Sequence, residues 1–224
     1  MWKSGVRGVI FDMDNTLLSS RIDFAAMKAD VYRLLKAWGA LPDGLTAELH
    51  TTATLIELAK EQGLEAGRLK HIWEIVSEHE LRGMEGADPE PGVEDMLRRL
   101  QGTLPLAIVT NNAEPAARAA LELTGLSRYI DLLVGREGMR ALKPSSSGYE
   151  TVLANYPDIP PAAWVSLGDS WIDGKGSSDA GIPFVSYRSA EGIMEARGIR
   201  VVGRIMHMDE WILWLQTARG PAEG

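Results

Sequence analysis

Asp12 and Asp14 stand two residues apart, directly after the apolar run Val9-Ile10-Phe11. In extended backbone, residues two apart project to the same side, so this spacing turns both carboxylates toward one space. Two like charges held close drive one pKa upward, leaving one ionised carboxylate beside one that can carry a proton. That division suits a nucleophile next to a general acid. Three further pieces share the layout. Ala107-Ile108-Val109 runs into Thr110-Asn111-Asn112, and Lys143-Pro144 lies beyond Asp131-Leu132-Leu133-Val134. Val165-Ser166-Leu167 runs into Gly168-Asp169-Ser170, with Asp173 close behind. Thr110 and Asn111 offer hydrogen bonds to phosphate oxygens, and Lys143 offers positive charge to a phosphate and to the nucleophile. Asp169 would complete an oxygen-rich set for Mg²⁺, which takes few carboxylates, several waters and a substrate oxygen. The chemistry these types can perform together is phosphoryl transfer.

Singly, each piece has an ordinary structural use. Asp-x-Asp after a strand makes turns and helix caps, Thr110-Asn111-Asn112 can cap the helix after Pro115, and Gly168-Asp169-Ser170 reads as a tight turn. Their joint order is what carries weight, because ligands of open parallel sheets bind outside the carboxyl ends of the strands. Four apolar runs must therefore be neighbouring strands.

The periodicity supports that arrangement. Residues 7–12 read as a buried strand. Asp23 then reads as the N-cap of a helix with Phe24, Met27, Val31, Leu34, Leu35 and Trp38 at helical spacing. A second helix is expected over Thr46–Gln62, with Leu49, Ala53, Ile56 and Ala59 on one stripe. A third is expected over Glu65–Arg82, with Leu69, Ile72, Ile75, Val76 and His79 inward. These three helices, with no strand between them, make a helical insert at 21–85. A stretch rich in Gly and Pro, Gly86 to Gly92, returns the chain to the body. Beyond it strands and helices alternate. Helices are expected at Val93–Leu100, Pro115–Leu123, Ser146–Asn155 and Asp209–Thr217. Strands are expected at Leu104–Val109, Leu132–Val134, Trp164–Leu167, Phe184–Tyr187 and Arg200–Val202. Such alternation implies an α/β fold with a doubly wound parallel sheet, formed by 1–20 and 86–224. Ala218–Gly224 reads as a frayed tail, and Trp211 and Trp214 as anchors of the last helix.

Composition narrows the partners. The net charge of −8 argues against nucleic acid and anionic membranes, while a metal and a lysine can still attract a small anion locally. With no cysteine, thiolate catalysis, disulfides and zinc–cysteine sites are excluded. The N-terminus lacks the apolar core of a signal peptide, and no apolar run has spanning length. The expectation is a cytoplasmic protein, monomeric or weakly dimeric, acting on a small phosphorylated substrate.

The ordered set resembles the haloacid dehalogenase-like (HAD) hydrolase superfamily. Asp12-Met13-Asp14-Asn15-Thr16 is similar to its first motif, Thr110 to its second, Lys143 to its third, and Gly168-Asp169-Ser170 with Asp173 and Ala180-Gly181 to its fourth. A helical insert directly after the first motif resembles the cap of the phosphoglycolate phosphatase and β-phosphoglucomutase branch. The resemblance implies a Rossmann-like core, with Asp12 as the nucleophile that forms an aspartyl-phosphate and Asp14 as general acid–base. It implies Mg²⁺ held by Asp12, the backbone carbonyl of Asp14, and Asp169, with Asp173 in the outer shell. Thr110 and Lys143 would bind the phosphoryl group, and Thr16 would brace the first loop. Two positions depart from the pattern. Asn15 stands where relatives carry glycine, a place where asparagine tolerates positive φ. Gly174 and Gly176 fall where relatives have better helix formers, which leaves the local shape after Asp173 open.

A Mg²⁺-dependent phosphatase is the leading expectation. A phosphomutase, in which a sugar hydroxyl replaces water as acceptor, shares the same motifs. A dehalogenase is disfavoured by the second aspartate, Asp14. A phosphonate-cleaving relative would need a cap lysine, and Lys28, Lys36, Lys60 and Lys70 are the cap's lysines. A phosphoaspartate receiver domain also uses aspartate, Mg²⁺, a hydroxyl and a lysine, but its nucleophile follows the third strand rather than the first. Substrate choice would fall to the insert, where Arg21, Lys28, His71, His79 and Arg82 are candidates. Trp171 is expected to pack rather than to line the pocket.

Overall fold

The chain enters its sheet almost at once. In this computed structural model, which describes residues 5–190 and 192–217, β1 (Gly8–Phe11) is buried at every position. A two-residue strand β2 (Leu18–Ser19) leads into α1 (Phe24–Ala37), α2 (Thr52–Glu61) and α3 (Ala66–Met84). The short β3 (Asp88–Pro89) returns the chain to the body. There follow α4 (Val93–Leu100), β4 (Leu106–Val109), α5 (Glu114–Leu123), β5 (Leu132–Val134) and α6 (Ser147–Asn155). The last third holds β6 (Trp164–Gly168), α7 (Trp171–Asp179), β7 (Phe184–Tyr187), α8 (Ile193–Ala196), β8 (Val201–Ile205) and α9 (Met208–Thr217).

The main sheet has six strands in the order β5-β4-β1-β6-β7-β8, and every pairing is parallel. Helices cover both faces, which is why β1 and β4 read as continuous apolar runs rather than alternating ones, while β6 and β7 each bury one serine. The period of two still sorts their side chains. Val9, Phe11, Ile108 and Val165 face α4 and α9, while Ile10, Val109 and Trp164 face Tyr149 and Val152 of α6. Trp211 on α9 is fully buried, meeting Phe11 edge-on and stacking on Trp214 at 5.3 Å. The chain builds outward from β1 through β4 to β5, then crosses back to β6. The reversal lies beside β1, the position where such sheets open a crevice.

Several expectations shift. The helix expected over Thr46–Gln62 is broken: a short 3₁₀ turn covers Ala47–Leu49, His50 is extended, and α2 begins at Thr52. Thr51 causes the break. Its hydroxyl accepts from the Thr54 amide at 3.2 Å while its own amide donates to the Thr54 hydroxyl at 2.8 Å, a reciprocal cap that favours a fresh start. Leu49 therefore leaves the apolar stripe and is 71% exposed. By contrast Asp23 caps α1 as expected, accepting from the Ala26 amide at 2.8 Å. The antiparallel ribbon of β2 and β3 at the base of the insert was not foreseen, since two-residue strands leave no periodic trace. β8 extends to Ile205, beyond the expected Val202. The tail at Ala218–Gly224 lies outside the described residues.

Gly174 and Gly176 prove to sit inside α7. A Cβ at Gly176 would lie 2.9 Å from the Ser145 carbonyl oxygen, and one at Gly174 would lie 2.7 Å from Ile199. Glycine here trades helix propensity for close approach, letting α7 press on the loop that follows Lys143. Trp171, at the start of that helix, packs against the cluster of Phe184, Met194 and Ile199, with the Arg197 guanidinium 4.1 Å from its ring centroid. It is a packing residue, though its partners belong to the core and not to the insert.

Candidate active site

Asp12 leaves β1 with its amide donating to the Leu167 carbonyl at 2.9 Å, which pins the residue between the ends of β1 and β6. Both of its carboxylate oxygens are held. Lys143 Nζ donates to Oδ1 at 2.6 Å, and the Thr16 hydroxyl donates to Oδ2 at 3.2 Å. Lys143 is 1% exposed and also donates to Asp173 Oδ1 at 2.7 Å and to the Val109 carbonyl at 2.8 Å. Burial alone would lower the lysine pKa, but Asp12 and Asp173 outweigh it and hold the ammonium well above its ordinary range. Asn15, directly after Asp14, has φ 56°, the left-handed turn that asparagine accepts.

Asp14 faces a different environment. Asn112 Nδ2 donates to its Oδ2 at 2.6 Å, while Oδ1 is covered and unpartnered. Burial first and the nearby Asp12 charge second push its pKa to about 7. One carboxylate is thus clamped by a cation, and its neighbour is poised to exchange a proton near neutrality.

Asp169, at the end of β6, completes a group with Asp12 and Asp173 whose carboxylate oxygens lie within 4.8 Å of one another. Burial, with Asp12 and Asp173 adding repulsion, raises Asp169 to about 8. Burial and the Asp12 charge, partly offset by Lys143, raise Asp173 to about 6. Three carboxylates share this space with one ammonium, a charge excess that a divalent cation would relieve. The donors are hard oxygens, so the set suits a hard divalent cation rather than a thiophilic metal. Asp173 has its oxygens engaged by Lys143 and by the Ser170 amide at 3.0 Å, the latter a capping bond for α7.

Thr110 is buried at the exit of β4, where its hydroxyl accepts from the Asn112 amide at 3.2 Å. Asn111, at the same exit, makes contacts within the protein as well. Its side-chain amide donates to the Lys143 carbonyl at 3.1 Å and its side-chain carbonyl accepts from the Lys143 amide at 2.8 Å. These two bonds tie the β4 exit to the lysine loop.

All of these open on a cavity of about 450 Å³ roofed by the insert. Of the five insert residues considered for substrate selection, Lys28 lies on its wall. His79 pairs with Asp30 at 3.0 Å, His71 lies against Trp38 and Glu74, Arg82 donates to the Glu78 carbonyl, and Arg21 sits at the base of the insert. Among the wall residues to which the sequence reading gave no site role are Asn112, Glu80 and Arg136. Each had a signal. Asn112 follows a strand exit already singled out, Arg136 follows the exit of β5, and Glu80 continues the inward stripe of Ile72 and Val76 at i+4 spacing.

Comparison with known proteins agrees with this geometry. The haloacid dehalogenase-like hydrolase family model matches residues 9–187. The phosphoglycolate phosphatase of Rhodobacter capsulatus is 32% identical over 189 residues, covering 80% of this chain and 83% of that protein. A crystal structure of a HAD-superfamily hydrolase from Geobacter sulfurreducens superposes with TM-score 0.61 at 20% identity, covering 95% of this chain and 97% of that one. A Bacillus subtilis protein described as a HAD-hydrolase, crystallised with magnesium, superposes with TM-score 0.62 at 23% identity over 94% of this chain and 98% of its own. With most of its length matched, from β1 through β7, the chain belongs to the haloacid dehalogenase-like hydrolases.

Proposed function

We propose that this enzyme is a Mg²⁺-dependent phosphatase that hydrolyses a small phosphorylated metabolite through an aspartyl-phosphate on Asp12. The observation that carries the reading is the differentiated pair: Asp12 held by Lys143 at 2.6 Å, and Asp14 pushed to about 7 and bonded to Asn112. In the first step an Asp12 oxygen attacks phosphorus, and the ester oxygen leaves with a proton from Asp14. In the second step water attacks the same phosphorus, Asp14 takes its proton, and inorganic phosphate and the free Asp12 carboxylate are restored. Lys143 balances charge on the nucleophile, and Thr110 accompanies it at the phosphoryl group. Asp12, Asp169 and the backbone carbonyl of Asp14 would hold the metal, with Asp173 in its outer shell as the family resemblance implies, where it also accepts from Lys143 and the Ser170 amide. Bound there, Mg²⁺ would screen the repulsion between carboxylate and phosphate and stabilise charge on the transferring group.

The cavity of about 450 Å³ suits a small ester. Lys28, on its cap wall, forms no ion pair among the described residues, which supports a substrate with a second anionic group. Phosphoglycolate, named in the relative from Rhodobacter capsulatus, is the first compound to try. The test is release of inorganic phosphate across a panel of phosphorylated metabolites, with Mg²⁺ and with chelator. Mg²⁺-dependent hydrolysis of small phosphorylated acids is expected. Undiminished release in chelator, or transfer to a sugar hydroxyl without release, would overturn the reading.

A further inference from the structure

Glu80 is an odd residue to find on the inner stripe of α3. It is 2% exposed, and burial raises its pKa despite the relief supplied by Arg136. Burying a carboxylate with a guanidinium gains little stability over an apolar pair, so the contact calls for a positional explanation. Its geometry supplies one. Glu80 Oε1 accepts from Arg136 Nη1 at 2.9 Å, and Glu80 Oε2 accepts from the Ala113 amide at 3.3 Å. Glu80 belongs to the insert, whereas Arg136 and Ala113 belong to loops after β5 and β4. The insert adds two more contacts to the same guanidinium: the Ser77 hydroxyl at 3.2 Å and the Trp73 ring, whose centroid is 4.4 Å away.

From this junction the contacts run on to the reacting groups. The Arg136 amide donates to the Asn112 carbonyl at 2.8 Å. Asn112, itself only 4% exposed, donates through its side chain to Asp14 Oδ2 at 2.6 Å. Glu80 therefore grips both neighbours of Asn112, Ala113 along the chain and Arg136 across it.

We propose that Glu80, through Arg136 and Asn112, is a positioning residue for Asp14, so that seating the insert orients the acid that protonates the leaving group. The inference rests on the phosphatase reading. Because Asp14 delivers its proton as the ester bond breaks, misplacing it must hurt poor leaving groups most. General acids contribute about 10²–10⁴-fold, and the effect shrinks when the leaving alcohol is already acidic.

The test compares the phosphorylation step for an alkyl phosphate and for 4-nitrophenyl phosphate in single turnovers with Mg²⁺. Wild type, Glu80→Gln, Asn112→Ala and the double variant are measured. Glu80→Gln keeps the side-chain volume, and turnover of the nitrophenyl ester reports that each variant is folded. Glu80→Gln should lose at least ~10-fold more rate on the alkyl ester than on the nitrophenyl ester. Asn112→Ala should show the same bias, and the double variant should be no worse than the poorer single, because both act through one carboxylate. Equal losses on the two esters, or multiplicative losses in the double variant, would overturn the relay while leaving the phosphatase reading intact. A wild type that hydrolyses neither ester would sink both.

Discussion

Lys143 meets Asp12, Asp173 and the Val109 carbonyl at once, using all three of its ammonium protons. Its removal would leave two carboxylates facing each other out of water, and breaking a buried pair in this way costs about 3–5 kcal/mol. Lys143→Met should therefore lower the stability of chelator-treated protein by an amount in that range, read by urea unfolding at mildly alkaline pH. A loss below about 1 kcal/mol, the worth of an exposed pair, would show that the ammonium is not the partner these carboxylates depend on. That Asp12, Asp14 and Lys143 come together was legible in the residue types and spacing, because strand exits restrict where such side chains can go. The bonds of Asn111 to the lysine loop were not. A strand exit predicts that a polar residue faces the crevice, but a side-chain amide can satisfy a loop backbone as readily as a ligand.

The elements show the same division between what local pattern conveys and what needs a third dimension. Strands buried on both faces announce themselves as largely apolar runs, so β1, β4, β6 and β7 fall close to their expected bounds. The break before α2 turns on Thr51 and Thr54 bonding each other, which a stripe of apolar residues does not report. Nor does sequence say that α7 needs glycine because the Ser145 carbonyl presses on it. That contact yields an expectation of its own. Gly176→Ala raises helix propensity yet must displace backbone of the Lys143 loop, and overpacking of this kind typically costs about 1–3 kcal/mol. The variant should be less stable and less active. If it gains stability, as an unstrained glycine replacement in a helix would, the close approach does not constrain the loop. Glu80 and Arg136 meet only because α3 lies over the β5 exit, so their pairing was beyond any local reading.

Across the whole molecule, the carboxylates couple stability to pH and to metal. Asp173, Asp14 and Asp169 are raised from 3.8 to about 6, 7 and 8. A raised value means that the folded state holds its protons more tightly than the unfolded chain. This contribution to stability is complete below the unfolded value and is lost as pH rises through the folded ones. The melting temperature in chelator should fall between about pH 5 and about pH 9, and Mg²⁺ should recover most at the alkaline end, where the carboxylates are free of protons. A Mg²⁺ shift that shrinks as pH rises would contradict that linkage. Among the described residues no helix is long and apolar enough to cross a membrane. The most direct measurement follows phosphorus itself. Acid quench of the enzyme mixed with a radiolabelled phosphate ester and Mg²⁺ should capture label on the peptide that carries Asp12. Asp12→Asn should show neither label nor turnover. Turnover near the wild-type rate by Asp12→Asn, or label captured on a residue other than Asp12, would contradict the account.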